Sequence, residues 1–191
     1  MAAPSANRFG NVSPTTAQAV SDELSDYLAD SDVILDGGAC AVGVESTIID
    51  CTGDVPKILR PGAITQEMIE KSTGLGVLDT DGVAIRVSGS LESHYSPLAK
   101  VVLDQSPLAG QGFIAMADVA SAAGVIRLAA PKTHEEFARV LYSALRAADE
   151  QRLSSVVVAQ PAGNGIAIAI RDRLMRAAHT GLSNQGNRIS Q

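Results

Sequence analysis

Ser5 and Asn7 stand in the run Ala3-Pro4-Ser5-Ala6-Asn7-Arg8-Phe9-Gly10-Asn11-Val12-Ser13-Pro14-Thr15-Thr16, where small, hydroxyl and amide side chains lead into a helix start. Free backbone N–H groups and the positive end of the helix dipole favour an anion such as phosphate there, although an ordinary capped loop has the same composition. Further along, Gly43-Val44-Glu45-Ser46-Thr47 sets two hydroxyls at a strand mouth after a glycine-rich turn. Such hydroxyls can bind a carboxylate or polarise a small substrate. Arg60 precedes Pro61-Gly62 at the end of a strand. Its permanent charge and forked donors suit a triphosphate, and equally a surface turn. His94-Tyr95 lies in a polar stretch, where it is either a solvated spacer or an aromatic anchor that reaches a neighbouring site.

Other chemistries are poorly supported. The chain has neither GxxxxGK[ST] nor GxGxxG between a strand and a helix, so a nucleotide site would be of another kind. Cys40 and Cys51 form no CxxC pair, and His94, His134 and His179 are far apart, so neither a disulfide nor a protein metal site is expected. Fifteen basic against twenty-one acidic residues give a net charge of −6, which argues against non-specific nucleic-acid binding. No apolar run approaches the roughly 18–20 residues of a membrane span, and the first seven residues lack the apolar core of a signal peptide. A cytoplasmic location without membrane association is expected.

The 191 residues, 46% hydrophobic and 19% charged, suit a globular protein of one or two domains without internal repeats. In the first half, Ser13 before Pro14 reads as the cap of a helix running to about Leu28, with Ala17, Val20, Leu24, Tyr27 and Leu28 on one face. Strands are expected over 32–36, 46–50, 57–60 and 83–87, with a short helix capped by Thr65 and running through Ile69, Gly74 lying beyond its end. The stretch from Ser88 to Pro97 is polar, holds Gly and Pro and has no period, so it reads as a linker. The second half alternates strands over 101–103, 112–116, 124–128 and 155–159 with helices over 133–151 and 166–178. The longer helix carries an apolar stripe of Phe137, Val140, Leu141, Leu145 and Ala148. The run Val156-Val157-Val158 suits a strand buried on both faces. These elements divide the chain into a first domain over 1–88, a linker over 89–99, a second domain over 100–180 and a flexible tail over 181–191.

The order APSAN, Phe-Gly, Ser-Pro-Thr, LDGG, GVESTIID, ILRPG, SGSLESHYSP and Ala169-Ile170-Arg171-Asp172-Arg173-Leu174 resembles the L-threonylcarbamoyladenylate synthases, the YrdC-like family, in its long form with an added C-terminal domain. The resemblance covers nearly all of 2–179. It implies an α/β fold: a partial YrdC-like twisted open mixed sheet with helices, followed by a small Rossmann-like α/β domain. It further implies a nucleotidyltransferase that joins L-threonine, bicarbonate and ATP into threonylcarbamoyl-adenylate and pyrophosphate, for threonylcarbamoyladenosine modification of tRNA, with magnesium on the triphosphate. Other tRNA-modification proteins would use the product.

By the same resemblance, Ser5 and Asn7 match catalytic positions, Ala3, Ser5, Ser13, Arg60 and Tyr95 match ATP-binding positions, and Ser46 matches a threonine-binding position. Tyr95 would belong to a lid over the nucleotide. One departure is that Met1 sits almost on the APSAN motif, whereas the family carries a further N-terminal half with a Lys-x-Arg signature. The chain therefore reads as an N-terminally truncated member of impaired activity. The alternative is a non-catalytic nucleotide- or double-stranded-RNA-binding remnant or subunit, with weak RNA binding, against which the charge of −6 counts.

Overall fold

In the computed structural model, residues 6–8, 10–78 and 95–179 are described. The expected strand over 83–87, the first part of the linker and the expected tail lie outside these residues.

Four strands of the second half form one parallel sheet. They are β3 (Lys100–Leu103), β4 (Gly112–Ile114), β5 (Ile126–Ala129) and β6 (Ser155–Val158), in the order β3-β6-β4-β5. Val156, Val157 and Val158 pair with β3 on one side and β4 on the other, and all three are buried. The period of two then splits them: Val156 and Val158 join the larger core, and Val157 joins Phe113 and Ala115 on the opposite face. Helices α3 (His134–Glu150) and α4 (Ile166–His179) supply the rest of that larger core through Phe137, Leu141, Leu145, Ile170 and Leu174. Both helices thus lie on one face. On the other, the Arg127 guanidinium sits 4.8 Å from the Phe113 ring centroid and donates to the carbonyls of Ala115, Met116, Val119 and Ala129, tying down the loop after β4.

Helix α3 is specified locally. The Thr133 hydroxyl accepts from Glu136 N at 3.2 Å and the Glu136 carboxylate accepts from Lys132 N, so donors of the first turn are satisfied. Near its other end, the Asp149 carboxylate accepts from Leu98 N and Ala99 N, both at 2.9 Å, and pins the chain entering β3.

The first half is smaller in its regular structure. Strands β1 (Ile48–Asp50) and β2 (Lys57–Arg60) pair antiparallel, and helix α2 (Gln66–Thr73) packs Ile69 against Ile58 and Val77. Thr65 caps α2, and Gly74 ends it with φ of 72°, as a left-handed C-cap requires. Two expectations are corrected. Helix α1 spans Ala17–Leu24 and is capped by Thr16, whose side chain accepts from Ala19 N, because the Ser13 hydroxyl is engaged elsewhere. A 3₁₀ turn, Ser25–Tyr27, follows, and Tyr27 is exposed. The apolar run over 32–36 forms no strand: Val33 and Leu35 are 76% and 88% exposed, and no described residue pairs with this stretch to make a ladder.

Candidate functional site

The first half is docked on the second along α3. Gly43 has φ of 86°, and a Cβ there would stand 2.3 Å from the Ala138 carbonyl oxygen, so only glycine allows this close approach to the helix backbone. Arg139 Nε donates to Ala41 O at 3.0 Å beside it. Val12 and Tyr95 are buried in the same core as α3 and α4, with Val44 packed against it. Arg146 donates to Val12 O and to the Glu23 carboxylate, closing the far side.

Glu45 sits at the centre of this junction. Its Oε1 accepts from Ser13 Oγ at 2.8 Å, and its Oε2 accepts from Tyr142 OH at 2.8 Å and Arg173 Nε at 2.7 Å. Burial pushes the Glu45 carboxyl up, but the Arg173 charge and the three hydrogen bonds outweigh it and hold the group below the ordinary glutamate value. The Tyr142 hydroxyl moves the other way, well above the usual phenol range, because burial and the neighbouring Glu45 carboxylate both oppose its ionisation. Tyr142 therefore stays a neutral donor. Burial works against the Arg173 charge, yet the Glu45 and Asp172 carboxylates beside it raise its pKa, so the cation persists.

Asn7, Ser13, Glu45 and Tyr142 provide polar groups in the lining of a cleft of about 470 Å³, whose walls are otherwise largely apolar and include Val20, Cys40 and Val42. Asn7 Nδ2 donates to Arg8 O and Asn11 O, while its buried Oδ1 has no partner among the described residues. Directly after Glu45, the exposed Ser46 meets the buried Arg60. Arg60 donates to the Ser46 carbonyl from Nε at 3.2 Å and from Nη2 at 2.9 Å, with Nη2 3.4 Å from Ser46 Oγ. Gly62 permits this clasp, since a Cβ there would lie 2.4 Å from Thr47 N.

The structure therefore brings Asn7 and Ser13 to one cleft and joins Ser46 to Arg60 beside it, with Glu45 common to both. Ser46, Arg60 and Tyr95 do not line the cleft. Tyr95 is 2% exposed, with φ of 64°, and its ring stacks on Tyr142 at 5.7 Å between centroids while Arg173 Cζ stands 5.4 Å from its centre. The expected lid residue is thus held inside the junction in this conformation, where its ring gains an aromatic and a cationic neighbour. Ala3 and Ser5 lie outside the described residues.

Glu45, Tyr142 and Arg173 were missed as a set by reasoning from sequence. A signal was present: Arg173 falls on the same helical stripe as Ile170, Leu174 and Ala177, and Tyr142 falls with Ala138, Leu141 and Leu145. A guanidinium and a hydroxyl on buried stripes demand partners. Which partner they find was not readable.

These features define a two-part α/β protein in which a small antiparallel unit bearing hydroxyl, amide and guanidinium groups is docked on a parallel-sheet unit. A family model described as "Threonylcarbamoyl-AMP synthase, C-terminal domain" matches residues 64–179, and one described as "Telomere recombination" matches residues 1–62. The chain belongs to the threonylcarbamoyl-AMP synthase family. It is 35% identical over 200 residues to the threonylcarbamoyl-AMP synthase of Bacillus subtilis and 32% identical over 198 residues to that of Pyrococcus abyssi, covering 93% of this chain and 57% of each relative. The crystal structure of P. abyssi Sua5 complexed with L-threonine superimposes with a TM-score of 0.73 at 29% identity, covering 92% of this chain and 57% of that one. The chain thus spans little more than half the length of the relatives it matches. No helix among the described residues is long and apolar enough to cross a membrane.

Proposed function

We propose that this chain binds ATP and L-threonine as part of an L-threonylcarbamoyladenylate synthase acting in tRNA modification. In that reaction the threonine nitrogen takes up bicarbonate carbon with loss of water. The resulting carbamate oxygen attacks the α-phosphorus of ATP, and pyrophosphate leaves. Such a displacement depends on positioning and on neutralising phosphate charge.

The observation that carries this reading is the clasp of Arg60 on Ser46 next to the cleft, in a chain of this family. Arg60 offers a permanent cation for phosphate, Ser46 an exposed hydroxyl for threonine, and Ser13 and Asn7 polar groups along the cleft wall. Ser5, Asn7 and Ala3 are assigned to the nucleotide and the reacting centre, and Tyr95 to the nucleotide after a movement out of its present seat. Magnesium would arrive on the triphosphate as part of the substrate. The first unit, 1–88, would carry the ligands, and the second, 100–180, would support it.

Calorimetry with the two ligands separately tests the assignment. Arg60→Ala should weaken ATP by about 1.5–3 kcal/mol, and Ser46→Ala should weaken L-threonine by about 0.5–1.5 kcal/mol. Equal effects of both changes on both ligands would show the roles to be wrong. Pyrophosphate release that needs threonine and bicarbonate together would establish turnover.

A further inference from the structure

We propose that Arg173 and Tyr142, both from the second half, are positioning residues that set the placement of Ser46 and Arg60. The proposal rests on the ligand roles given above to those two residues. Arg173, 1% exposed, grips the residue next to each of them: its Nε donates to the Glu45 side-chain carboxylate, one residue before Ser46, and its Nη2 donates to the Pro61 backbone carbonyl at 3.0 Å, one residue after Arg60. Tyr142 OH adds a second bond to the same Glu45 oxygen that Arg173 holds. Arg60 then closes the ring through the Ser46 carbonyl.

The guanidinium is itself immobilised. Asp172 accepts from it, Arg176 ties down Asp172 at 2.8 Å, and the Tyr95 ring lies under its cation. A buried ion pair of this kind adds little net stability compared with apolar packing of the same volume, whereas its forked donors fix direction. Its geometry spans two separate loops of the first half with one rigid plane. That is what a device for placing them requires, and a helix seeking only to bury its face would be served by leucine.

The test uses the full chain, with calorimetry for ATP and for L-threonine and hydrogen exchange on the same samples. Tyr142→Phe removes one oxygen and leaves the ring stacked. It should raise the Kd for L-threonine about 2–10-fold and that for ATP by less, through the Ser13 hydroxyl on the other Glu45 oxygen. Arg173→Lys keeps a cation for Glu45 but cannot also span to Pro61 O, so it should weaken ATP more than L-threonine. This opposite split is something a merely structural role would not produce. Equal shifts for both ligands in both variants, or none, overturn the proposal, and should Arg173→Lys fail to fold, Tyr142→Phe decides alone. A wild-type chain that binds neither ligand defeats the ligand roles. Exchange then decides the placement: faster exchange over 43–49 in Tyr142→Phe, with that of Val156–Val158 unchanged, supports it, and identical exchange overturns it.

Discussion

The two halves of the molecule reach order by different routes. In the second half, a four-stranded parallel sheet and two helices bury Phe137, Leu141, Ile170, Leu174 and the three valines of β6 almost completely. In the first, the internal core among described residues is little more than Ile58, Ile69 and Val77, while Val33 and Leu35 stand in the open. What orders Val12, Gly43 and Glu45 is the surface of α3 and α4. The side chains proposed to bind ligands are therefore concentrated in the half with less packing of its own, and the better-packed half acts as their template. Separating the two tasks lets the site side keep polar groups exposed without having to supply the stability that holds them in place.

The largest effect that could break this contrast lies in the shared core. Leu141→Ala should cost about 2–5 kcal/mol in chemical denaturation, whereas Leu35→Ala should stay within about 0.5 kcal/mol. Comparable losses would mean that the first half is packed as firmly as the second. Next comes the docking contact. Gly43→Ala should destabilise by about 1–3 kcal/mol, since the new methyl meets the α3 backbone and the residue must hold a positive φ. Gly37→Ala, with open space around it, is the control and should change little. A silent Gly43→Ala would dissolve the argument for close docking.

The smallest effect is in pH. Because the Glu45 carboxyl titrates below the ordinary value of 4.5, its ionised form stabilises the fold fully above that value, and this contribution is lost as pH falls through the lower, folded value. Glu45→Gln should remove that part of the acid dependence. An unchanged profile of midpoint against pH, measured from 7 down to 3, would show that the clamp contributes nothing through its charge.

Much of the second half was legible because local signals agreed with one another. The helix expected over 133–151, its apolar stripe and the valine run of β6 each demand the same arrangement that burial then rewards. The first half was harder to read for a physical reason. Ser13 before Pro14 satisfies the rule for a helix start, yet its hydroxyl gains more from the Glu45 carboxylate, 32 residues away, and Thr16 takes the cap. The apolar run over 32–36 reads as a strand, but a strand exists only with a partner, and no rule of spacing within the segment supplies one.

The sequence by itself determined the family, through the order of its motifs, and every strand and helix of the second half to within about three residues, through local period and composition. Tertiary structure alone decided that Glu45 would bind Ser13, Tyr142 and Arg173 at once, and that Tyr95 would lie stacked between Tyr142 and Arg173. Residues 45 and 173 are 128 positions apart in the chain, and the energy of their contact exists only where water has been excluded and two helices have already set the distance. A sequence can show that a buried guanidinium needs a carboxylate; which carboxylate it meets is settled by packing.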